Sequence, residues 1–155
     1  HNGSILALII NNENELISGS GDKTIKIWNI QLGEVRLTLI GHEWAVFTLA
    51  INNQNELVSG SIDRTIKLWN MKTGQLKRTL SGHTGWIRAL VINNEGELIS
   101  GSHDNSIKIW NMTTGEEKTT LIGHFGFVNT LIVNQNNELI SGSNDNSIRL
   151  WNMTT

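Results

Sequence analysis

The feature that most constrains this chain is a repeat that never slips register. Trp28, Trp69, Trp110 and Trp151 recur every 41 residues, as do His1, His42, His83 and His124, and Asp22, Asp63, Asp104 and Asp145. Aligned on the histidines, the units also share Leu8, Leu49, Leu90 and Leu131, the Glu15-Leu16 pair with its three copies, and the Ser18-Gly19-Ser20 motif. A fixed period of about 20 to 50 residues marks one supersecondary unit duplicated, because such a unit cannot bury its apolar face alone and must stack on a neighbour. The boundaries that follow are residues 1–41, 42–82, 83–123 and 124–155, together one repeat-built domain over 1–155.

Within each unit the pattern is that of strands. Leu16 to Ser20 and Thr24 to Trp28 are short alternating runs between turn formers, and about five residues is too short for a helix. Ile5 to Ile10 and its copies read as a more fully buried strand. The Asn-rich stretches Asn11 to Asn14 and Asn134 to Asn137 read as turns, where asparagine tolerates left-handed backbone. Asp-Lys, Asp-Arg and Asp-Asn turns follow the second strand. After the tryptophan comes a turn such as Met71 to Gly74, then a more polar strand, Gln75 to Leu80, before Gly82-His83 opens the next unit. The expectation is an all-β chain of four-stranded antiparallel units.

The 41-residue period, the Gly-His start, the Asp of the second hairpin and the Trp-Asn ending together resemble the WD40 family over essentially the whole chain. The family's usual ending is Trp-Asp, whereas Asn29, Asn70, Asn111 and Asn152 stand here. The resemblance implies β-propeller blades around a central channel, with the first strand of each blade innermost, serving as a rigid platform for other proteins or peptides. It also implies a hydrogen-bond network in each blade, matched by His42, Ser59, Asp63 and Trp69, by His83, Ser100, Asp104 and Trp110, and by His124, Ser141, Asp145 and Trp151. The first repeat supplies His1, Ser18, Asp22 and Trp28, with His1 expected to fray at the chain end. Ser61 shares a strand face with Ser59, so the serine assignment stays open between them.

Charge and composition limit the partners. Twelve basic and 14 acidic residues, spread along the chain, leave a net charge of -2 and no basic stripe for a phosphate backbone, so nucleic acid is not expected. Without cysteine there are no disulfides, thiolate metal sites or cysteine nucleophiles. No run approaches the roughly 18 apolar residues of a membrane helix, and no secretory pattern opens the chain, so a cytoplasmic protein without membrane contact is expected. The histidines lie one per unit, with His103 alone in a turn, which suits neither zinc nor any other cofactor. The Ser, His and Asp of each unit make hydrolysis a remote alternative. A constellation that recurs four times, however, reads as scaffolding, since an active site needs one optimised set with a pocket.

Positions that differ between repeats are free to serve recognition. The third residue after each histidine is Ser4, Ala45, Trp86 and Phe127; the fifth is Leu6, Phe47, Arg88 and Asn129; before each aspartate stand Gly21, Ile62, His103 and Asn144. In WD40 proteins, these places resemble those facing the mouth of the channel. The protein-binding candidates are therefore Trp44, Phe47, Ile62, Trp86, Arg88, His103, Phe125, Phe127, Asn129 and Asn144, because clustered aromatic and Arg side chains commonly dominate binding energy. Trp44 and Phe125 equally suit packing between blades. Lys26, Lys67 and Lys108 are expected along a solvated edge.

With the sequence running to Thr155, the fourth blade is expected to have three strands and to lack its outer one, and both ends of the array are expected to show apolar sheet faces. Two coverings are open: a second copy in a homodimer closing an eight-bladed, two-fold ring, or further blades of a longer chain. The second resembles the arrays of large multidomain signalling proteins, and a purely structural, self-assembling role is the alternative to partner binding.

Overall fold

Each repeat folds back on itself because its runs are short and its turns tight. The protein is described by a computed structural model covering residues 1–153; Thr154 and Thr155, the last positions of the fourth repeat, lie outside the described residues. The first sheet holds β1 (Ile5–Ile10), β2 (Glu15–Ser20), β3 (Thr24–Asn29) and β4 (Glu34–Ile40). The second holds β5 (Val46–Ile51), β6 (Leu57–Ser61), β7 (Ile66–Trp69) and β8 (Leu76–Leu80). The third holds β9 (Ile87–Ile92), β10 (Leu98–Ser102), β11 (Ser106–Trp110) and β12 (Glu117–Ile122). The fourth has β13 (Val128–Val133), β14 (Leu139–Ser143) and β15 (Ile148–Trp151), three strands among the described residues. All pair antiparallel in chain order. There is no helix among the described residues, and so none long and apolar enough to cross a membrane.

Side chains fasten the turns. In the first turn of each repeat, Asn11, Asn52, Asn93 and Asn134 accept backbone N–H bonds from residues two and four positions on. Each also donates its amide to the glutamate of the Glu-Leu pair, Glu15, Glu56, Glu97 or Glu138, at 2.7–2.8 Å. That bond explains why the glutamate recurs. The turn needs one left-handed residue, supplied by Asn14, Asn55, Gly96 and Asn137. The second turn places Lys23, Arg64, Asn105 and Asn146 at φ of 74°, 69°, 68° and 65°.

The core lies between sheets. Ile17, Ile25, Ile27 and Leu39 of the first sheet pack on Val46, Leu57, Trp69 and Met71 of the second, and the same registers meet at the next two interfaces. The most buried strands are β2, β6, β7 and β10, not the first strand of each repeat. The reason is topological: β1, β5, β9 and β13 are each paired on one side only, and β1 in addition has no sheet packed on one face. The solvated lysine edge is also corrected. The third strand runs inside its sheet, so Lys67 is buried and donates to Thr79 at 3.0 Å, Lys108 bonds Glu117 and Thr120, and Lys26 is half-buried beside Trp28.

A left-handed backbone costs a residue with a Cβ about 1–2 kcal/mol, less for asparagine. Arg64 occupies the site that Asn105 and Asn146 fill in later repeats. Arg64→Asn is expected to stabilise the chain by about 1 kcal/mol, raising its melting midpoint by roughly 2–4 °C in calorimetry; a lower midpoint would contradict this account of the turn.

Candidate functional site

Four copies of one polar network anchor one end of the sheets. The imidazole Nδ1 of His1, His42, His83 and His124 lies 2.9, 2.7, 2.7 and 2.7 Å from Oδ2 of Asp22, Asp63, Asp104 and Asp145. Nε2 lies 2.7, 2.7, 2.8 and 2.6 Å from Oγ of Ser18, Ser59, Ser100 and Ser141. The same Oγ accepts the indole N–H of Trp28, Trp69, Trp110 and Trp151 at 2.7–2.8 Å. A carboxylate only accepts, so Nδ1 carries the proton and Nε2 takes the serine hydroxyl's. The open serine assignment resolves to Ser59, while Ser61 donates to the Trp44 carbonyl and accepts from the Asp63 amide. The frayed His1 is corrected: both ring nitrogens are bonded, which holds the imidazole down.

This is triad geometry without a triad's access. The four serines are buried, and the one face of each Oγ not turned to imidazole is capped by indole, so no substrate carbonyl reaches it. Among the described residues, no three His, Cys, Asp or Glu side chains gather to hold a metal.

The aspartates are strongly acidic. Burial alone would raise the Asp63 and Asp104 carboxyls, but hydrogen bonds from His42 and Thr65, and from His83 and Ser106, outweigh it and hold both far below the usual carboxylate range. Asp145 is lowered likewise, first by its bond from Ser147, and Asp22 is lowered too.

Every inner strand carries a β-bulge at this end, and the extra residue is Leu6, Phe47, Arg88 or Asn129. A bulge re-aims a side chain. The two other differing positions of each repeat face each other beyond the bulge, where Ile62, His103 and Asn144 donate their backbone N–H to Ala45, Trp86 and Phe127 at 2.9–3.0 Å. Their side chains join across three sheets. The Arg88 guanidinium lies 4.6 Å from the Phe47 ring centroid, Phe47 stacks on Trp86 at 6.4 Å, Trp86 on His103 at 4.5 Å, and His103 on Phe127 at 3.8 Å and 7°. Partial burial, then the Arg88 charge, lower the His103 pKa, which favours a neutral ring between its two aromatic neighbours.

An open cavity of about 670 Å³ adjoins the stack, lined by Trp44, Ile62, Arg64, Trp86, His103 and Phe127. Trp44 is exposed, with the Lys23 ammonium 5.2 Å from its ring, and the Asn129 amide donates to Asn144 beside the stack. Phe125 stands apart, its ring exposed. Arg64 and Lys23 were not singled out from sequence; their place in the second turn, next to the aspartate, is the signal that could have found them.

The family model described as "WD domain, G-beta repeat" matches residues 1–29, 33–70, 74–111 and 115–152. Among solved structures, the chain is similar to the computationally designed Ika4 protein, known from its crystal structure, at 34% sequence identity and a TM-score of 0.87 over 97% of this chain and 92% of that one. Comparison with curated proteins finds no match.

A carboxyl held more acidic in the folded chain than its unfolded value near 3.9 contributes stability above that pH, and loses it as pH falls towards the folded value. The melting midpoint is therefore expected to fall steadily below about pH 5. Asp104→Asn is expected to lower the midpoint at pH 7 and to flatten the acid slope in a pH series of thermal melts. An unchanged slope would separate acid stability from these carboxylates.

Proposed function

Because this chain belongs to the WD40 repeat family, whose repeats generally mediate protein–protein interactions and are generally non-catalytic, we propose that it is a non-enzymatic scaffold docking other proteins or peptides on its channel-mouth face. The observation that carries this reading is the stack Arg88–Phe47–Trp86–His103–Phe127. It is built from positions where the repeats differ, while the positions they share are taken up by the hydrogen-bond network. Large apolar groups clustered at a surface and joined by a guanidinium have the make-up of an interaction hot spot. The adjoining cavity has the size of a ligand cleft, so it suits a bulky side chain of a docked segment. Arg64 supplies polar specificity at its margin, and the bonded Asn129 and Asn144 supply it beside the stack. The Ser-His-Asp sets take no part in chemistry here, because their hydroxyls stay buried under indole. Such a face works on a completed ring, with blades added by a second copy in an eight-bladed dimer or by further blades of the same polypeptide.

Peptides selected from a displayed random library on the immobilised chain test the reading. Trp86→Ala and Arg88→Ala are each expected to weaken selected peptides at least about tenfold, or ~1.4 kcal/mol, in calorimetric titration. Glu95→Ala, in a first turn at the far end of the strands, is expected to leave them unchanged. Peptides that bind the Trp86 and Arg88 variants as well as the parent would remove the channel-mouth assignment.

A further inference from the structure

Two of the four second turns are filled against the preference of their own backbone. Lys23 and Arg64 stand at φ of 74° and 69°, in the left-handed region, where the third and fourth repeats place Asn105 and Asn146. Asparagine adopts that backbone at lower cost than lysine or arginine, so the first two repeats give up stability at this turn. A strained position is kept where its side chain serves something else. What these two side chains have and asparagine lacks is positive charge, and it is delivered beside the aromatic stack. Arg64 lines the cavity, and the Lys23 ammonium stands 5.2 Å from the ring of Trp44, which lines it too.

A third cation joins them from an inner strand. Arg88, whose counterparts are Leu6, Phe47 and Asn129, holds its guanidinium 4.6 Å from the Phe47 ring. Lys23 and Arg64 are exposed, and Arg88 is half-buried. Among the described residues none of the three has a carboxylate partner, although Arg36, Lys77, Lys108 and Lys118 each have one. The aspartates at this end are negative too, but their oxygens are already taken up by donors, those of Asp63 by His42, Glu43 and Thr65. Glu43, exposed on the cavity wall, is the one carboxylate left open there among the described residues. Every other glutamate lies in a turn at the opposite end of the strands or opens the strand that follows it.

An apolar wall flanked by unspent cations is complementary to one combination of groups: a bulky apolar side chain with a carboxylate close by in the same segment. Charge-assisted hydrogen bonds need donors that are free as well as charged, and a carboxylate reaching Arg64 meets such donors. Deepening the docking reading, on which it rests, we infer that the occupant of this cavity is an acidic peptide segment. Its bulky side chain seats against Trp44, Trp86 and Phe127, and its flanking aspartates or glutamates pair with Arg64 and Lys23, and with Arg88 at the end of the stack.

The test is calorimetric titration of the chain with peptides selected on it from a displayed random library. The selected sequences are expected to carry aspartate or glutamate beside a bulky apolar residue, and to bind more weakly as salt rises. Arg64→Asn and Lys23→Asn are each expected to weaken them about fivefold, the worth of one exposed ion pair. The melting midpoint is expected to hold or rise in both variants, so that loss of binding is not loss of fold. Peptides whose carboxylates are replaced by amides are expected to bind the parent and the Arg64→Asn variant alike. Glu43→Gln, which removes the opposing charge, is expected to tighten the acidic peptides. Selected peptides without acidic residues, or acidic ones indifferent to both Arg64→Asn and Lys23→Asn, overturn the acidic partner; the docking face itself stands if Trp86→Ala still weakens them. Basic peptides weakened by Glu43→Gln overturn it in favour of the opposite charge. Peptides indifferent to Trp86→Ala, or a library that yields none, remove the docking face and this inference together.

Discussion

A serine hydroxyl at the centre of each sheet accepts an indole N–H on one side and donates to an imidazole on the other, and the imidazole is held in turn by a carboxylate. These polar groups are largely shut off from water, so each must find its partner within the sheet; a buried donor or acceptor left unmade costs about 1–3 kcal/mol. The bonds also tie together four places far apart in sequence: the loop before the first strand, the second strand, the turn after it and the third strand. Asp63 adds the backbone N–H of Glu43 and both donors of Thr65 to its share. The loop and turn that carry the differing residues are thus held by the residues that do not differ. Trp86 follows His83 by three positions, and His103 precedes Asp104. Their rings meet because the network beneath them is complete.

This division of labour was largely legible in the sequence. The period counts the sheets, and the turn formers place their hairpins, because both are local properties of a short stretch. The ten candidate residues are likewise found by asking where the repeats part company. Contacts between sheets left no such mark. Nothing in the chain announces that Phe127 lies flat on His103, since that stacking depends on how one sheet leans on the next. The same blindness explains the first strand and the lysines. Ile5 to Ile10 is apolar enough for a buried strand, and Lys67 polar enough for a solvated one, yet burial was decided by position within the sheet. The serine choice, too, needed coordinates, because Ser59 and Ser61 share a strand face and differ only in height along it.

A duplicated unit also repeats its needs. Each sheet is apolar on both faces because its neighbours are copies of itself, so any finite run of them ends in two faces shaped for each other. The exposed Ile148 and Ile5 are in this sense neither errors nor a binding site of a new kind; they are ordinary core positions without their neighbour. The aromatic stack differs in kind, since Arg88 and His103 have no counterparts of their type in the other repeats. Exposure alone would have confused these two surfaces, whereas comparison between repeats separates them.

The central claim is that shared residues hold the blades while differing ones face outward, and the six tryptophans report on both. Their indole N–H groups can be followed singly by hydrogen–deuterium exchange in nuclear magnetic resonance spectra. Trp28, Trp69, Trp110 and Trp151 donate to buried serines, whereas among the described residues the indoles of Trp44 and Trp86 donate to none. The account predicts four protected indole signals, slowest for Trp69 and Trp110, and two that exchange freely. Equal exchange at all six, or protection of Trp44 and Trp86 alongside the rest, would contradict it.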